Sequence, residues 1–267
     1  MRYWDGNEWS PHVSDNGVQS TDPVVENGNI ADSIDRGLTF GHSMTADEVQ
    51  RTVSGTGFRG AGITEPVAGG GGTLFNEPVL VVSQKAKLVE VTTQYSVFDQ
   101  TGRPLGFVNE IGQSAARKAI RVLTNLDQFL THRLQITDTS GAVVLELTRP
   151  GKVFKSTVIV GNGSGTEIGR IVQENMIGKI HFGLQAGGQS VGAIKAENWR
   201  AWNFRIEDHT GTEVARITKT WEGAMKQLFT TADNYVVQIH TPLPQPFISL
   251  VVAAALSIDT ALKQDSK

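Results

Sequence analysis

Residues 247–258 read FISLVVAAALSI and form the most apolar run of the chain. The run follows the proline-rich stretch TPLPQP and is followed by Asp259. As an α-helix it spans about 18 Å at about 1.5 Å per residue, whereas a bilayer core needs about 30 Å and about 20 apolar residues. The run is therefore too short to cross a membrane. A helix that is apolar on every face is instead expected to be buried within the protein.

The large apolar side chains of this run make it a predicted buried core helix. At about 2 kcal/mol each on full burial, they contribute on the order of 14 kcal/mol, which is comparable to the net stability of a domain. The helix therefore needs an enclosed apolar space that the rest of the chain must supply. The side chains are those of Phe247, Ile248, Leu250, Val251, Val252, Leu256 and Ile258.

The chain upstream of this helix alternates apolar and polar residues in short runs between turn residues. Such alternation predicts β-strands. Glycines of the turns recur every 23 or 24 residues, at Gly141, Gly165, Gly188 and Gly211, and this spacing indicates a meandering antiparallel sheet. About a dozen strands fit before the helix. A barrel of that size has a lumen that wall side chains do not fill, since about eight strands already suffice for that.

The predicted fold class is therefore mainly β: a closed antiparallel twelve-stranded barrel around a C-terminal hydrophobic α-helix, with a disordered N-terminal region. We expect three parts in the chain of 267 residues. They are a short aromatic module over residues 1–13, a flexible linker over residues 14–73 and the barrel domain over residues 74–267.

The aromatic module reads RYWDGNEWSPH over residues 2–12 and joins Tyr3, Trp4 and Trp9 through an Asp-Gly turn signal. It resembles the short W-D-G-x-x-W module of many actinobacterial membrane-associated and secretion-associated proteins. The Trp-Tyr-Pro-Asp segment that normally precedes this module is missing, so we expect an incomplete module. The alternative is a disordered tail with chance aromatic residues.

The predicted linker is rich in Gly, Ser, Thr and Asp and ends in four consecutive glycines, Gly69 to Gly72. It has no sustained hydrophobic period, which is typical of a flexible segment. One short helix is predicted within it, with Thr45 as N-cap and Glu48 completing a capping box. The glycine run does not match a phosphate-binding loop, because no apolar strand precedes it and no G-K-[ST] follows it.

The segment EVARITKTWEGAMKQLFTTADNYVVQIHTPL, residues 213–243, resembles the C-terminal half of the phospholipid scramblase family. Upstream, Arg149-Pro150 resembles the end of an Arg-flanked strand pair of that family, and IGRIVQ resembles its G-x-[IV]-x-Q strand through Gly169 and Gln173. The matching residues of the C-terminal segment are Ala215, Ile217, Lys219, Trp221, Gly223, Phe229, Thr230, Ala232, Asp233, Asn234, Tyr235, Gln238 and Pro242.

The resemblance covers about residues 75–267. It implies a tubby-like, LURP-one-related barrel of twelve strands around one C-terminal helix, in agreement with the periodicity. It also implies membership of a family associated with phospholipid movement between membrane leaflets.

Two features of the family are changed in this chain. Animal members carry a Ca²⁺-binding acidic stretch after the A-D-N motif, whereas here the sequence continues to LPQP without carboxylates. A Ca²⁺ ion takes about six to eight oxygen ligands, and Asp233 and Asn234 supply too few for more than a vestigial site. We therefore expect no cofactor and no metal, and turn chemistry for these two residues.

The second change concerns the position of the family's palmitoylated cysteine cluster. The chain has no cysteine, and this position holds SAARKAIRVLTNLDQFLTHR, which has helical character. A basic amphipathic helix with Arg117, Lys118 and Arg121 could lie in an anionic membrane interface, where each basic residue contributes about 1 kcal/mol. The alternative is a helix that packs on the outside of the barrel or plugs one end.

Composition and motifs limit the functions that are expected. The net charge of −3 argues against nucleic acid as a partner. The six histidines are scattered and no G-x-S-x-G motif is present, so we expect no enzyme. The N-terminus has no apolar signal segment, which favours the cytoplasm.

The first functional hypothesis is a non-catalytic, lipid-associated barrel at the inner face of the plasma membrane. It would bind anionic phospholipid and take part in its movement between leaflets. The alternative is a soluble interaction or ligand-binding scaffold that has a protein partner and no lipid transfer activity.

Overall fold

Strands are the main secondary structure of the described residues in a computed structural model, and the chain divides into two units, Met1–Phe40 and Gly41–Lys267. The structure describes residues 2–4, 9–15, 18–21, 44–84, 93–111, 131–151, 156–175, 179–197, 203–220 and 234–262.

The first unit contains a three-stranded antiparallel sheet of order β1-β2-β3. Its strands are β1 (Arg2–Trp4), β2 (Trp9–Asp15) and β3 (Val18–Thr21). Trp4 of β1 pairs with Trp9 of β2, so both tryptophans of the predicted aromatic module are strand residues in register with each other. Strand β3 lies beyond the module boundary predicted at residue 13.

The second unit is built around a closed barrel of twelve strands, each antiparallel to both neighbours. The barrel closes where β15 pairs with β4, with Tyr235 opposite Val82. The predicted twelve-stranded barrel is confirmed. Its strands are β4 (Val79–Gln84), β5 (Thr93–Asp99), β6 (Pro104–Ile111), β7 (His132–Asp138), β8 (Val143–Arg149), β9 (Thr157–Asn162), β10 (Glu167–Gln173), β11 (His181–Ala186), β12 (Gln189–Ala196), β13 (Asn203–Asp208), β14 (Glu213–Thr220) and β15 (Asn234–Ile239).

Helix α2 (Phe247–Leu262) fills the lumen, against β8 to β11 on one side. Leu250 and Val251 are completely buried, and residues 247–257 are buried without a break. Six of the seven predicted core side chains are among them. The seventh, that of Ile258, lies outside the described side chains although the residue is part of the helix. A helix buried on every face matches a sequence that is apolar on every face.

Glycines in the barrel wall make room for this helix. A Cβ atom added at Gly169 of β10 would lie 2.9 Å from Cδ2 of Leu250, and one at Gly192 of β12 would lie 3.0 Å from Cε2 of Phe247. Both distances are too short for ordinary contact. Glycine inside a strand commonly marks such a close approach, and here it lets the wall approach the helix.

Four hairpin turns at one end of the barrel follow a shared pattern: Asp or Asn, any residue, Ser or Thr, then Gly. In the turn after β7, Oδ1 of Asp138 accepts hydrogen bonds from the N–H groups of Ser140 and Ala142, and Gly141 takes a φ of 86°. Short polar side chains stabilise turns in this way, and glycine supplies the positive φ at little cost. The other turns of this type begin at Asp99, Asn162 and Asp208.

Residues 44–73 correct the prediction of a flexible linker over residues 14–73. They include α1 (Ala46–Ser54) and a 3-10 helix (Gly57–Arg59). The predicted capping box is present, because Oγ1 of Thr45 accepts from the N–H of Glu48 at 3.3 Å and the Glu48 carboxylate accepts from the N–H of Thr45 at 2.9 Å. The few apolar residues of this segment, hidden in a polar composition, form one stripe that packs on the outer wall. That stripe consists of Met44, Val49 and Val53 against Val79, Val81, Phe98 and Val236.

The four-glycine run encloses a carboxylate of its own chain. The N–H of Gly72 donates to Oε1 of the buried Glu77 at 2.5 Å, and a Cβ at Gly70 would collide with the same carboxylate. Arg103 donates to Glu77 at 3.1 Å and to Asp99 at 2.9 Å. The run thus fixes residues 69–77 to the loop after β5, and its glycines are explained without a phosphate ligand.

Candidate functional site

Four residues of the family motifs point into the barrel at one end, which we call the motif end. It is the end at which β8, β10 and β14 finish and β15 begins, opposite the end that carries the Asp or Asn turns. Their strand positions alternate with outward-facing ones, in keeping with the period of two. These residues are Arg149, Gln173, Lys219 and Tyr235.

A buried contact between a histidine and a glutamate lies beside Arg149 at the motif end. Nδ1 of His132 is 2.8 Å from Oε1 of Glu110, and both side chains are about nine-tenths buried. His132 is paired across the strands with Arg149, so the three side chains form one polar cluster on the inner face of β6, β7 and β8. Burial of charged groups requires such pairing.

Gln173 connects β9 to β10. Its Oε1 accepts a hydrogen bond from the N–H of the buried Ser156 at 3.1 Å, and its own N–H donates to the Ser156 carbonyl at 2.9 Å. The motif glutamine therefore has a structural role at the start of β9, where it satisfies buried backbone groups.

Lys219 and Tyr235 contact each other across β14 and β15. Nζ of Lys219 lies 5.8 Å from the centre of the Tyr235 ring, within the range of a cation–π interaction. Asn234 is the first residue of β15, and its carbonyl accepts from Oγ1 of Thr220 at 3.4 Å. The predicted turn role of Asn234 is thus replaced by a role as a strand residue.

The remaining predicted site residues lie outside the residues that the structure describes. They are Trp221, Gly223, Phe229 and Asp233 of the family motif, and Arg117, Lys118 and Arg121 of the basic segment. Their roles stay predictions. Among the described residues, there is no group of three or more His, Asp or Glu side chains that could hold a metal ion. None of the helices described is both long and apolar enough to span a membrane.

Four cationic or titratable side chains form a second feature on the outer wall, which we call the cation row. They are paired directly across β11 to β14 in the order His181, Lys195, Arg205 and Arg216. Each alternates with buried inward-facing neighbours, so each points outward. A groove of about 390 Å³ runs beside the row. Its lining consists of Lys179, Ile180, His181, Lys195, Ala196, Glu197 and Arg205.

Glu207 holds two cations of the row side by side. Its side chain is about nine-tenths buried, with Oε2 accepting from Nζ of Lys195 at 2.6 Å and Oε1 lying 2.8 Å from Nε of Arg205. The cations themselves stay in contact with water, at 37% exposure for Lys195 and 46% for Arg205. The buried carboxylate therefore positions two accessible positive charges.

Arg216 at the end of the row is held by carboxylates. Burial opposes its charge, but the hydrogen bonds that it donates to Glu213 and Glu197 outweigh burial and raise the pKa of the guanidinium. The distances are 2.9 Å to Glu213 and 2.8 Å to Glu197. Burial acts to raise the pKa of Glu213, but its hydrogen bonds with Arg216 and His240 outweigh burial and lower that pKa. These two carboxylates hold the Arg216 guanidinium in a fixed position and accept hydrogen bonds from it.

Sequence reasoning missed the cation row. Its members are isolated in the sequence, one per strand, and only the register across strands brings them together. A partial signal was available, since KIHFG, AIKAE and FRIED each place a basic residue between two apolar ones.

An apolar groove of about 480 Å³ lies at the end opposite the motif end, near the start of α2. Its lining is mostly apolar, with a few polar groups at the rim. The lining residues are Phe75, Val144, Leu145, Asn162, Ile168, Gln245, Pro246 and Ser249.

Comparison with known families identifies the family to which the chain belongs. The family model described as Scramblase matches residues 64–262, which include the whole barrel and α2. The chain belongs to the scramblase family. The match begins upstream of the predicted domain boundary at residue 74, within the segment that packs on the outer wall.

The scramblase-family chain has low sequence identity to two individual proteins. The chain is 24% identical over 198 residues to Altered inheritance rate of mitochondria protein 25 of Saccharomyces cerevisiae, covering 62% of this chain and 59% of the yeast protein. It thus spans less than two thirds of that relative. The chain is also similar to an X-ray structure of a protein from Arabidopsis thaliana, with 14% identity and a TM-score of 0.40. That alignment covers 71% of this chain and 99% of the Arabidopsis chain.

Proposed function

We propose that this scramblase-family protein is a non-catalytic, membrane-peripheral protein that binds anionic phospholipid on the outer surface of its barrel. One observation carries the proposal beyond family membership. The lumen is occupied by α2, whose residues 247–257 are buried on all sides. A lipid that associates with this domain therefore has to contact the outer wall.

Magnitudes favour the outer surface. Displacing α2 from the lumen would expose its six described large apolar side chains, which costs on the order of 12 kcal/mol at about 2 kcal/mol each. A basic residue near an anionic surface contributes about 1 kcal/mol and requires no such opening. A part in phospholipid movement between leaflets would then proceed along the wall and leave the lumen filled.

The basic segment with Arg117, Lys118 and Arg121 is one proposed lipid contact. In the sequence it lies between β6 and β7. A cytoplasmic location at the inner face of the plasma membrane agrees with this proposal, because anionic lipids give that surface its negative potential.

Vesicle flotation tests the proposal. We expect the full chain to float with vesicles that contain anionic phospholipid and to remain behind with phosphatidylcholine alone. Changing Arg117, Lys118 and Arg121 together to Glu should reduce flotation strongly. The matched control changes three other basic residues to Glu, and it should float like the wild type. These residues are Arg51, Arg59 and Arg170.

The outcomes separate two questions. No flotation of the wild type with anionic vesicles would reject lipid binding altogether. Equal flotation of both triple variants would remove the basic segment from the proposal and leave lipid binding in place. Lipid movement is measured separately, by dithionite quenching of labelled lipid in reconstituted vesicles with and without Ca²⁺.

The apolar groove of about 480 Å³ favours a second candidate, a soluble scaffold for an apolar ligand or a protein partner. Ligand sites are commonly apolar clefts of about 300–1,000 Å³ with few polar groups. Fractionation without detergent distinguishes the candidates. A membrane pool that salt releases supports lipid binding, whereas a soluble pool alone supports the scaffold.

A further inference from the structure

We propose that the groove beside the cation row binds the phosphate group of an anionic lipid headgroup, with Lys179, Lys195 and Arg205 as its ligands. The inference rests on the proposed function and assigns it a site different from the basic segment. Its basis is a set of described contacts on β11, β12 and β13.

The first step is that the cation row places like charges next to one another, so that carboxylates are needed to offset their repulsion. Lys195 lies directly opposite Arg205, and Arg205 lies directly opposite Arg216. Neighbouring strands are about 4.8 Å apart, so three like charges are placed within about 10 Å. Like charges directly opposite each other destabilise a sheet. The barrel fold does not require these charges, since any outward-facing polar side chain would serve.

The second step is that the row is preorganised. The buried Glu207 carboxylate fixes Lys195 through one oxygen and Arg205 through the other. An ammonium has three N–H donors and a guanidinium has five. The contacts with Glu207 at 2.6 Å and 2.8 Å use Nζ of Lys195 and Nε of Arg205. An arginine anchored at Nε still presents its terminal nitrogens, which suit the paired oxygens of a phosphate.

The third step is that Lys179 completes the groove from the other side. Its Nζ donates to the Glu197 carbonyl at 2.8 Å, which holds the ammonium in place without neutralising its charge. The Glu197 carboxylate is turned to Arg216 at 2.8 Å. The groove therefore has three cations around its lining, while its buried Glu207 offsets one of them.

The fourth step concerns His181 and the groove's apolar lining. Nε2 of His181 lies 3.2 Å from Oε2 of Glu174, which holds the imidazole beside the groove. Ile180 and Ala196 also line the groove, although both pack with the core of the barrel. A cationic groove on a chain of net charge −3 attracts a phosphate group locally, whereas the net charge of the whole chain disfavours an extended polyanion.

The experiment measures binding of the full chain to phosphatidylcholine vesicles that contain phosphatidic acid. We expect Lys179→Gln to weaken binding about fivefold, and Lys195→Gln with Arg205→Gln to weaken it further, at about fivefold per charge. The control is Arg170→Gln, because Arg170 is a half-exposed outward residue paired with Glu167 on neighbouring β10. It should bind like the wild type.

Each outcome decides the inference. Equal binding by the wild type and both groove variants overturns it, while flotation by the wild type keeps the proposed function. If the double variant does not fold by circular dichroism, Lys179→Gln decides alone, because Lys179 makes no contact with Glu207. If inorganic phosphate raises the melting temperature but the wild type does not bind vesicles, the groove binds free phosphate and the assignment to a lipid headgroup is wrong. Weaker binding by the groove variants and not by Arg170→Gln supports the inference.

Discussion

Helices α1 and α2 pack on opposite faces of the same wall, and the difference between them shows how a helix is directed to one face. Helix α1 has one apolar stripe, which covers the outward residues Val79 and Val81 of β4. Helix α2 is apolar on every face and lies among the inward residues of the barrel. The width of the apolar surface on each helix thus matches the side of the wall on which it packs.

Strand β4 is buried on both faces, by the core inside the barrel and by α1 outside it. It reads VLVVSQ, and its first five residues are buried. Leu80 and Val82 belong to the inner core, whereas Val79 and Val81 belong to the cluster around α1. A strand covered on both faces is expected to be apolar without alternation, so the loss of alternation in β4 predicts that something covers the outer wall.

The strongest test of the comparison removes one buried side chain from each helix. We expect Leu250→Ala in α2 to lower the free energy of unfolding by about 2–5 kcal/mol. Val49→Ala in α1 should cost less, about 2 kcal/mol, since it removes two methyl groups at about 0.8 kcal/mol each. Chemical denaturation measures both. A larger loss for Val49→Ala would contradict the view that α2 is the main core element.

A second test concerns the room that the wall leaves for α2. Gly169→Ala should destabilise by about 1–3 kcal/mol, because the new methyl group meets Leu250 and the Gln185 carbonyl inside the barrel. The control is Gly183→Ala on neighbouring β11. The atoms nearest to its new methyl group belong to the flexible Glu174 side chain. Equal thermal stability of the two variants would show that the barrel wall moves to accommodate the added methyl group beside α2.

A smaller effect is expected from the N-cap of α1. Thr45→Ala removes the capping box and should cost about 1 kcal/mol. Thr45→Ser retains the hydroxyl group and should restore most of it. Because α1 lies on the outer wall, we expect faster hydrogen exchange at the amides of Val49 and Val53, with the barrel amides unchanged. Faster exchange throughout the barrel would instead make α1 part of the core.

The smallest effect that we expect is a change in the acid sensitivity of stability, caused by two Asp turns at the end of the barrel opposite the motif end. Hydrogen bonds from the Ser140 hydroxyl and backbone N–H groups lower the pKa of Asp138, and Thr210 does the same for the pKa of Asp208. A lowered folded-state pKa gives stability that is present above about pH 4 and is lost as the pH falls below it. Wild-type stability should therefore fall more steeply below about pH 4 than that of the Asp138→Asn, Asp208→Asn double variant.

Asn162 provides the natural control for this variant, since it holds the turn after β9 with the same contacts and without a charge. The two proteins should differ little at neutral pH. Acid titration followed by circular dichroism measures the difference. Parallel acid unfolding curves would mean that other groups dominate the response.

The sequence was sufficient to predict the barrel because its signals are local. Period-two alternation marks each strand, and regular turn glycines mark the meander. The short apolar run marks the helix that fills it. The outer packing of residues 44–73 was not predicted, because only a few apolar residues such as Val49 and Val53 carry it within a polar segment.

The candidate sites differ in the same way. Arg149, Gln173, Lys219 and Tyr235 were found through motif resemblance, but their convergence at one end needs the closed barrel. The cation row was missed because it depends on which residue of one strand faces which residue of the next. Bulges shift the register at several strand pairs, among them β13 with β14. Alternation alone therefore does not determine which residues are opposite each other.

Closure of the barrel has a consequence for the order of events during synthesis. The pairing of Val79 with Gln238 joins the first and last strands, and α2 follows both in the chain. All twelve strands therefore leave the ribosome before the segment that fills them. Until that segment arrives, the nascent sheet has an apolar inner surface without a partner, and such surfaces favour aggregation. Chaperone occupancy should accordingly be greatest after β15 emerges and should decline once α2 is translated.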